Sequence, residues 1–175
     1  LAAGQILIEQ KNNLNKSIFS SNTDIKLEAD LVAEKLIKEI LTNETSFPIL
    51  AEESGQSSDQ LSNIFWVVDP LDGTANYSRN IPICCVSIAL IKNMEPVLGV
   101  IYDFSNNDLY EGSVNTSAMQ NGLEIKVSDI SNQGEGILIT GLPNKTDYSD
   151  EALLKMVKDF QGWRKVRMIG SAAIG

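Results

Sequence analysis

The hexapeptide at residues 69–74, Asp-Pro-Leu-Asp-Gly-Thr, is the part of the chain best suited to chemistry. It follows the apolar run at residues 64–68, so Asp69 is predicted at the end of a buried strand, where a loop presents it. Pro70 fixes one backbone angle, and the turn can direct two carboxylates and the Leu71 carbonyl towards one point. Hard cations such as Mg2+ bind oxygen ligands of this kind. The alternative interpretation is an ordinary proline turn with an aspartate cap.

The end of this hexapeptide is suited to binding an anion. Gly73 lacks a side chain and allows close approach of a ligand to the backbone. If Thr74 begins a short helix through Asn76 and Tyr77, the free amides of its first turn can hold a phosphate.

Two other acidic segments could contribute to the same site. Residues 51–55 read Ala-Glu-Glu-Ser-Gly and follow a strand-like run, so a glutamate there can add a metal ligand, although such a pair is also common on surfaces. Asp30 is predicted in the first turn of a helix, where favourable interaction with the helix dipole is the alternative explanation.

Composition excludes several kinds of chemistry. The chain has 14 Lys and Arg against 23 Asp and Glu, a formal net charge of −9, which disfavours binding of nucleic acid and other polyanions without a metal. It contains no histidine, so catalysis by Ser-His-Asp or Cys-His groups and histidine metal sites are excluded within these residues. Carboxylates, hydroxyls, amines, backbone groups and metal ions remain.

An amphipathic helix is predicted over residues 28–41. Its apolar positions are Leu31, Val32, Leu36, Ile37, Ile40 and Leu41. The same spacing places Asp30, Glu34, Lys35 and Lys38 outside this stripe.

The remaining segments predict an α+β fold, because helices come first, then a run of strands, then mixed elements. Helices are predicted over residues 1–10 and 150–160, the latter capped by Ser149 or Asp150. Strands are predicted at residues 47–51, 64–68, 83–91, 97–103, 108–111, 124–127, 136–140 and 163–169. Turn signals between the central strands indicate an antiparallel meander.

The cysteines and the apolar runs indicate a cytoplasmic protein without a membrane partner. Cys84 and Cys85 are adjacent, which precludes an ordinary loop-closing disulfide, and they are predicted to be small buried hydrophobes. The longest apolar run, residues 81–91, is too short to cross a bilayer. No signal-peptide pattern opens the chain.

Both ends of the sequence read as interrupted elements. Leu1 already lies within a predicted helix, and residues 170–173, Gly-Ser-Ala-Ala, are predicted to begin a helix just before the last residue. We therefore predict a single domain over residues 1–175, truncated at both ends, with a metal-binding α+β part at 1–141 and the start of a second α/β part at 142–175.

Taken together, the acidic segments match a family pattern. An Asp early in a helix, a strand ending in Glu-Glu-Ser and a strand ending in Asp-Pro-Leu-Asp-Gly-Thr-x-Asn occur in the order of the lithium-sensitive inositol monophosphatase superfamily, which the chain resembles. The similarity continues at residues 81–90, 99–103, 121–128 and 170–173.

This resemblance implies roles for individual residues. The implied Mg2+ ligands are Glu52, Asp69, the Leu71 carbonyl and Asp72. The implied catalytic residues are Thr74 and Asp30, which orient and deprotonate the attacking water, together with Glu52. The implied substrate contacts are Gly73 and Thr74 to the phosphate and Gly170, Ser171 and Ala172 to the organic part.

The resemblance also implies a layered α-β-α-β-α sandwich, a homodimer and two or three Mg2+ ions. The implied activity is hydrolysis of a small phosphate monoester, inositol monophosphate or a related polyol phosphate. A 3′(2′),5′-bisphosphate nucleotidase and a non-catalytic metal- and phosphate-binding relative are the alternatives. The family's later Trp-Asp-x-Ala-Ala-Gly segment, whose Asp completes the metal site, is absent from these residues.

Overall fold

The computed structural model describes residues 1–21, 25–142 and 147–175. In these ranges an eight-stranded sheet carries helices on one face, and two small two-stranded sheets lie beside it. The helices are α1 (Ala2–Glu9), α2 (Lys11–Leu14), α3 (Glu28–Glu44), α4 (Thr74–Ser78) and α5 (Asp150–Phe160), with a 3-10 turn at Gln133–Glu135.

Twelve strands in the described residues form one large sheet and two separate pairs. They are β1 (Ser17–Ser20), β2 (Ile25–Leu27), β3 (Ile49–Ala51), β4 (Gly55–Gln56), β5 (Ile64–Asp72), β6 (Cys85–Lys92), β7 (Glu95–Asp103), β8 (Asp108–Ser113), β9 (Thr116–Gln120), β10 (Leu123–Glu124), β11 (Ile137–Thr140) and β12 (Lys165–Met168). The large sheet has the order β10-β9-β8-β7-β6-β5-β3-β4, while β1 pairs with β2 and β11 with β12.

The predicted α+β class and the central meander are confirmed. Strands β5 to β9 pair antiparallel with their neighbours in sequence. The sheet is not wholly antiparallel, however, because β3 runs parallel to β5. This parallel pair requires a crossover, and it brings the end of β3 beside the middle of β5.

Strand β5 continues through the proline that was expected to end it. Asp69 pairs with Ser87 and Asp72 with Cys85, so three steps along β5 match two steps along β6. The extra residue forms a bulge at Pro70 and Leu71. Since Ser87 and Cys85 lie two positions apart on one face of β6, the bulge brings Asp69 and Asp72 to a shared face despite their odd spacing.

Helix α3 is turned relative to the expected orientation. Asp30 and Glu34, predicted outside the apolar stripe, are buried, with 1% and 4% of their surfaces exposed, while Leu31 and Ile40 are exposed. The reason is that both carboxylates accept hydrogen bonds from neighbouring segments, which compensates their burial.

The core lies between the helices and the large sheet. Its members come from helices α1 to α4, from strands β2, β3, β5, β6 and β7, and from adjoining connections: Ala3, Leu7, Leu14, Leu27, Ala29, Ala33, Ile37, Ile49, Ala51, Val68, Leu71, Tyr77, Cys84, Val86, Tyr102 and Phe104. Both cysteines are buried and free, as predicted. The Tyr77 hydroxyl donates to the Leu7 carbonyl at 2.7 Å, which fixes α4 against α1.

Two local expectations were wrong, and one strand pairing was not predicted. Residues 125–127 are not in a strand, residues 170–173 form a turn rather than a helix start, and the β1–β2 pair was not foreseen. Asp24, which precedes the predicted helix start, lies outside the described residues. Among the described residues, no helix combines the length and apolarity needed to cross a membrane.

Candidate active site

Thr74 and Asp30 meet where α4 begins beside the start of α3. Thr74 Oγ1 lies 2.9 Å from Asp30 Oδ1 and 3.0 Å from the Leu71 carbonyl oxygen, so its single proton has two acceptors within reach. Asp30 Oδ2 accepts from the Leu27 amide at 2.7 Å. Burial raises the pKa of Asp30 to about 6, against the opposing effect of these hydrogen bonds. Thr74 and Asp30, two of the three predicted catalytic residues, are therefore in contact.

Gly73 is required by the geometry at this point. Its φ is +92°, in the left-handed region, and a Cβ there would lie 2.7 Å from the Ile83 carbonyl oxygen. Within the described residues, the amides of Thr74 and Ala75 have no hydrogen-bond acceptor, as is usual in the first turn of a helix. Of the two predicted phosphate contacts, Thr74 therefore has a free amide donor.

Glu52 and Asp69 form a close carboxyl pair, because parallel pairing places the end of β3 beside β5. Burial and the charge of Asp69 raise the pKa of Glu52 to about 7, while burial raises that of Asp69 to about 6. Glu52 as a whole residue is exposed, and the negative charge of Asp69 opposes its ionisation in addition to local burial.

Asp72 is directed towards the last described turn. Its Oδ2 accepts from the Ser171 hydroxyl and from the Ala173 amide, both at 2.6 Å, and its Oδ1 accepts from the Ala172 amide at 3.1 Å. Cys85 Sγ lies 3.8 Å from the same carboxylate. Asp72 therefore joins the large sheet to the turn that carries the predicted substrate contacts.

The donor set fits a hard cation. Glu52 and Asp69 supply two neighbouring carboxylates, and the Leu71 carbonyl oxygen lies beside Thr74. In the part of the chain that the structure describes, no three acidic or cysteine side chains surround one point. Asp72 lies on the same face of the bulge but binds the turn at residues 171–173 instead.

Seven of the ten predicted site residues line two adjoining clefts, while Asp30, Asp69 and Leu71 are not among the lining residues. The first, of about 470 Å3, is lined by Glu52, Gly73, Thr74 and Gly170 among others. The second, of about 560 Å3, is lined by residues including Asp72, Gly170, Ser171 and Ala172. Gly170 belongs to both clefts, so the predicted phosphate and organic contacts are neighbours.

Three residues that hold these parts together were missed as site residues. The Asn76 side-chain amide donates to the Ile83 carbonyl at 2.8 Å and to the Ile169 carbonyl at 2.7 Å, which holds Gly170 beside α4. Lys26 lines the first cleft and pairs with Glu53 at 2.6 Å. Glu34 binds the turn that follows β3. The apolar spacing gave no signal for Glu34, because it places this residue outside the apolar stripe.

The fold and the site define an α+β protein in which acidic side chains lie beside the N-terminus of a short helix, α4, whose first backbone amides are free among the described residues. The chain belongs to the Inositol monophosphatase family, which it matches over residues 1–175. The resemblance found in the sequence is thereby confirmed.

Individual relatives agree with this membership. The chain is 36% identical over 177 residues to the Nus factor SuhB of Xylella fastidiosa, covering 99% of this chain and 64% of that protein. It is also similar to the solved inositol monophosphatase of Anabaena (Nostoc), with a TM-score of 0.83, 34% identity and coverage of 99% and 64%. The chain thus spans just under two thirds of the length of these relatives.

A more distant structure shares the fold. An IMPase/NADP phosphatase complexed with Mg2+ and phosphate superimposes with a TM-score of 0.81 at 20% identity, over 97% of this chain and 63% of that one.

Proposed function

We propose that the protein is a Mg2+-dependent phosphomonoesterase acting on inositol monophosphate or a related polyol phosphate. The observation that carries the proposal is the Thr74–Asp30 hydrogen bond of 2.9 Å beside the Glu52–Asp69 carboxyl pair. Family membership supports the reaction class, since the family takes its name from inositol monophosphatase.

Glu52, Asp69 and the Leu71 carbonyl are the groups that would hold Mg2+, with Asp72 completing the set. Bound Mg2+ supplies charge neutralisation for the phosphate and acidifies an attacking water. The proposed number of bound ions is two or three. Proton loss from the Glu52–Asp69 pair would accompany binding, because carboxylate ligands are ionised.

Thr74 and Asp30 would orient the water. When the Thr74 hydroxyl donates to Asp30, its oxygen lone pairs remain free to accept a hydrogen bond from a water molecule. With a pKa raised to about 6, Asp30 is suited to take up a proton near neutral pH. The amides of Gly73 and Thr74 would bind the phosphate of the substrate.

Gly170, Ser171 and Ala172 would contact the organic part of the substrate. They line the second cleft, directly beside the proposed phosphate position. A comparison of inositol 1-phosphate with adenosine 3′,5′-bisphosphate tests this assignment. A clear preference for the nucleotide would favour the bisphosphate nucleotidase instead.

A second candidate is a non-catalytic relative that acts as a regulatory partner. The observation that favours it is the name of the Xylella relative, a Nus factor. The presence of Glu52, Asp69, Asp72, Thr74 and Asp30 in the sequence, with Thr74 in contact with Asp30, favours the enzyme. Several properties stay predictions: the homodimer, lithium inhibition, the cytoplasmic location and the lack of nucleic-acid binding. The boundary between the two parts of the domain at residues 141 and 142 and the roles of the individual residues also stay predictions.

A further inference from the structure

Glu34 is a buried carboxylate that none of the proposed chemical steps uses. It lies one helical turn after Asp30 on α3, and 4% of its surface is exposed. Its Oε2 accepts from the Glu53 amide at 2.8 Å, and its Oε1 accepts from the Ser54 amide at 3.1 Å. Both oxygens are therefore committed to the backbone of one turn.

That turn carries Glu52, and it is held from two sides. The Glu52 amide donates to the Val68 carbonyl at 3.0 Å, which ties it to β5. The next two amides of the chain point in another direction, to Glu34. Backbone at the end of a short strand otherwise has considerable freedom, so these three bonds restrict where the Glu52 side chain begins.

Helix α3 thereby spans both halves of the site. Asp30 accepts a hydrogen bond of 2.9 Å from the Thr74 hydroxyl at the start of α4. Glu34, one helical turn further along α3, accepts from the backbone of the turn that carries Glu52. Residues four apart on a helix share a face, so a single rigid element sets the distance between the two halves.

Lys38 extends the same contact. Its ammonium lies 4.0 Å from Glu34 Oε1 and donates to the Ser54 hydroxyl at 2.7 Å. Glu34 is thus a charged acceptor with a cation beside it, and hydrogen bonds from amides to an ionised acceptor are stronger than those to a neutral one.

We propose that Glu34 is a positioning residue that orders the turn at residues 52–54 and so places Glu52 for binding of a divalent cation. This inference rests on the proposed function, because it concerns the same metal ligand. Groups that orient metal ligands typically change metal affinity or activity by roughly 10- to 100-fold when removed.

The test compares three variants with the wild-type protein in its full length. Glu34→Ala removes both acceptors, Glu34→Gln keeps one acceptor oxygen without the charge, and Glu39→Gln changes an exposed glutamate of the same helix as a control. Mg2+ affinity is measured by calorimetry. Hydrogen exchange of the Glu53 and Ser54 amides reports order in the turn without any need for turnover.

We expect Glu34→Ala to weaken Mg2+ binding roughly tenfold or more and to speed exchange of the two amides. Glu34→Gln should give a smaller loss of Mg2+ affinity, and Glu39→Gln should leave Mg2+ affinity unchanged. If Glu34→Ala does not fold, Glu34→Gln carries the comparison. Mg2+ affinity equal to wild type in the folded Glu34 variants, or no Mg2+ binding by the wild type, would overturn the inference. Wild-type Mg2+ binding without phosphate release would instead contradict the proposed function alone.

Discussion

Thr74 Oγ1 lies 2.9 Å from Asp30 Oδ1, although 44 positions separate the two residues in the chain. The contact depends on three structural features. The left-handed Gly73 begins α4, the buried Asp30 occupies the first turn of α3, and the Leu27 amide holds the second oxygen of Asp30 at 2.7 Å. The aspartate is therefore fixed on one side while its other oxygen serves the threonine.

Replacing Thr74 by alanine should lower kcat by roughly 100-fold or more, the range for loss of a positioned proton-transfer group. Thr74→Ser keeps the hydroxyl and should retain most activity. Steady-state phosphate release at saturating Mg2+ measures both variants. A Thr74→Ala enzyme within a few-fold of wild type would remove Thr74 from the mechanism.

Asp72→Asn should abolish turnover, because it removes a charged oxygen proposed to bind the metal. The structure adds a second effect. The Ser171 hydroxyl and the Ala173 amide both donate to Asp72 Oδ2, and the side-chain NH2 group of an asparagine cannot accept these hydrogen bonds. The turn at residues 171–173 should therefore become less ordered. Circular dichroism should still show a folded protein. Activity retained at saturating Mg2+ would refute the ligand assignment.

Gly73→Ala should destabilise the protein more than Gly122→Ala does. Both glycines have positive φ, +92° and +77°, which costs an L-residue about 1–2 kcal/mol. A Cβ at Gly122 meets open space, whereas one at Gly73 would lie 2.7 Å from the Ile83 carbonyl. Urea unfolding of the two variants isolates the contact at Gly73. An equal loss in the free energy of unfolding for the two variants would show that the Gly73 site accommodates the methyl group.

The metal-free protein should lose stability as pH rises through the range of the site carboxyls. The pKa values of Glu52, Asp69 and Asp30 are raised to about 7, 6 and 6, above the roughly 4 of unfolded carboxyls. The folded state thus binds more protons than the unfolded state between about pH 4 and pH 7, and stability falls across that window as pH increases. No histidine titrates there.

Thermal unfolding with a chelator at about pH 5.5 and about pH 7.5 measures this effect, and Tm should be lower at the higher pH. Added Mg2+ should raise Tm more at the higher pH, because ionised carboxylates bind it and binding stabilises the folded state. A chelated protein that is equally or more stable at the higher pH would contradict the raised pKa values.

The strand ends and their acidic residues could be predicted because they depend on local pattern. The run at residues 64–68 lies in β5 as predicted, although the strand continues through Asp69 to Asp72. The family resemblance then brought Asp30 and Thr74 together, and the structure places them in contact. Local apolar spacing also predicted α3 and its approximate length.

The orientation of α3 could not be predicted in this way. Periodicity places Asp30 and Glu34 on the outer side, because it counts only apolar residues. Their partners are the Thr74 hydroxyl and the amides of Glu53 and Ser54, supplied by segments 19 to 44 positions away. Likewise, the bulge at Pro70 depends on the register of β5 with β6, which the hexapeptide alone does not define.

Phosphate release from inositol 1-phosphate by the full-length protein, with and without Mg2+, tests the central claim most directly. We expect release with Mg2+, loss of release in a chelator and recovery when Mg2+ is restored. Absence of release in the presence of Mg2+, from a folded protein that retains Glu52, Asp69, Asp72 and Thr74, would contradict the assignment and favour the non-catalytic partner.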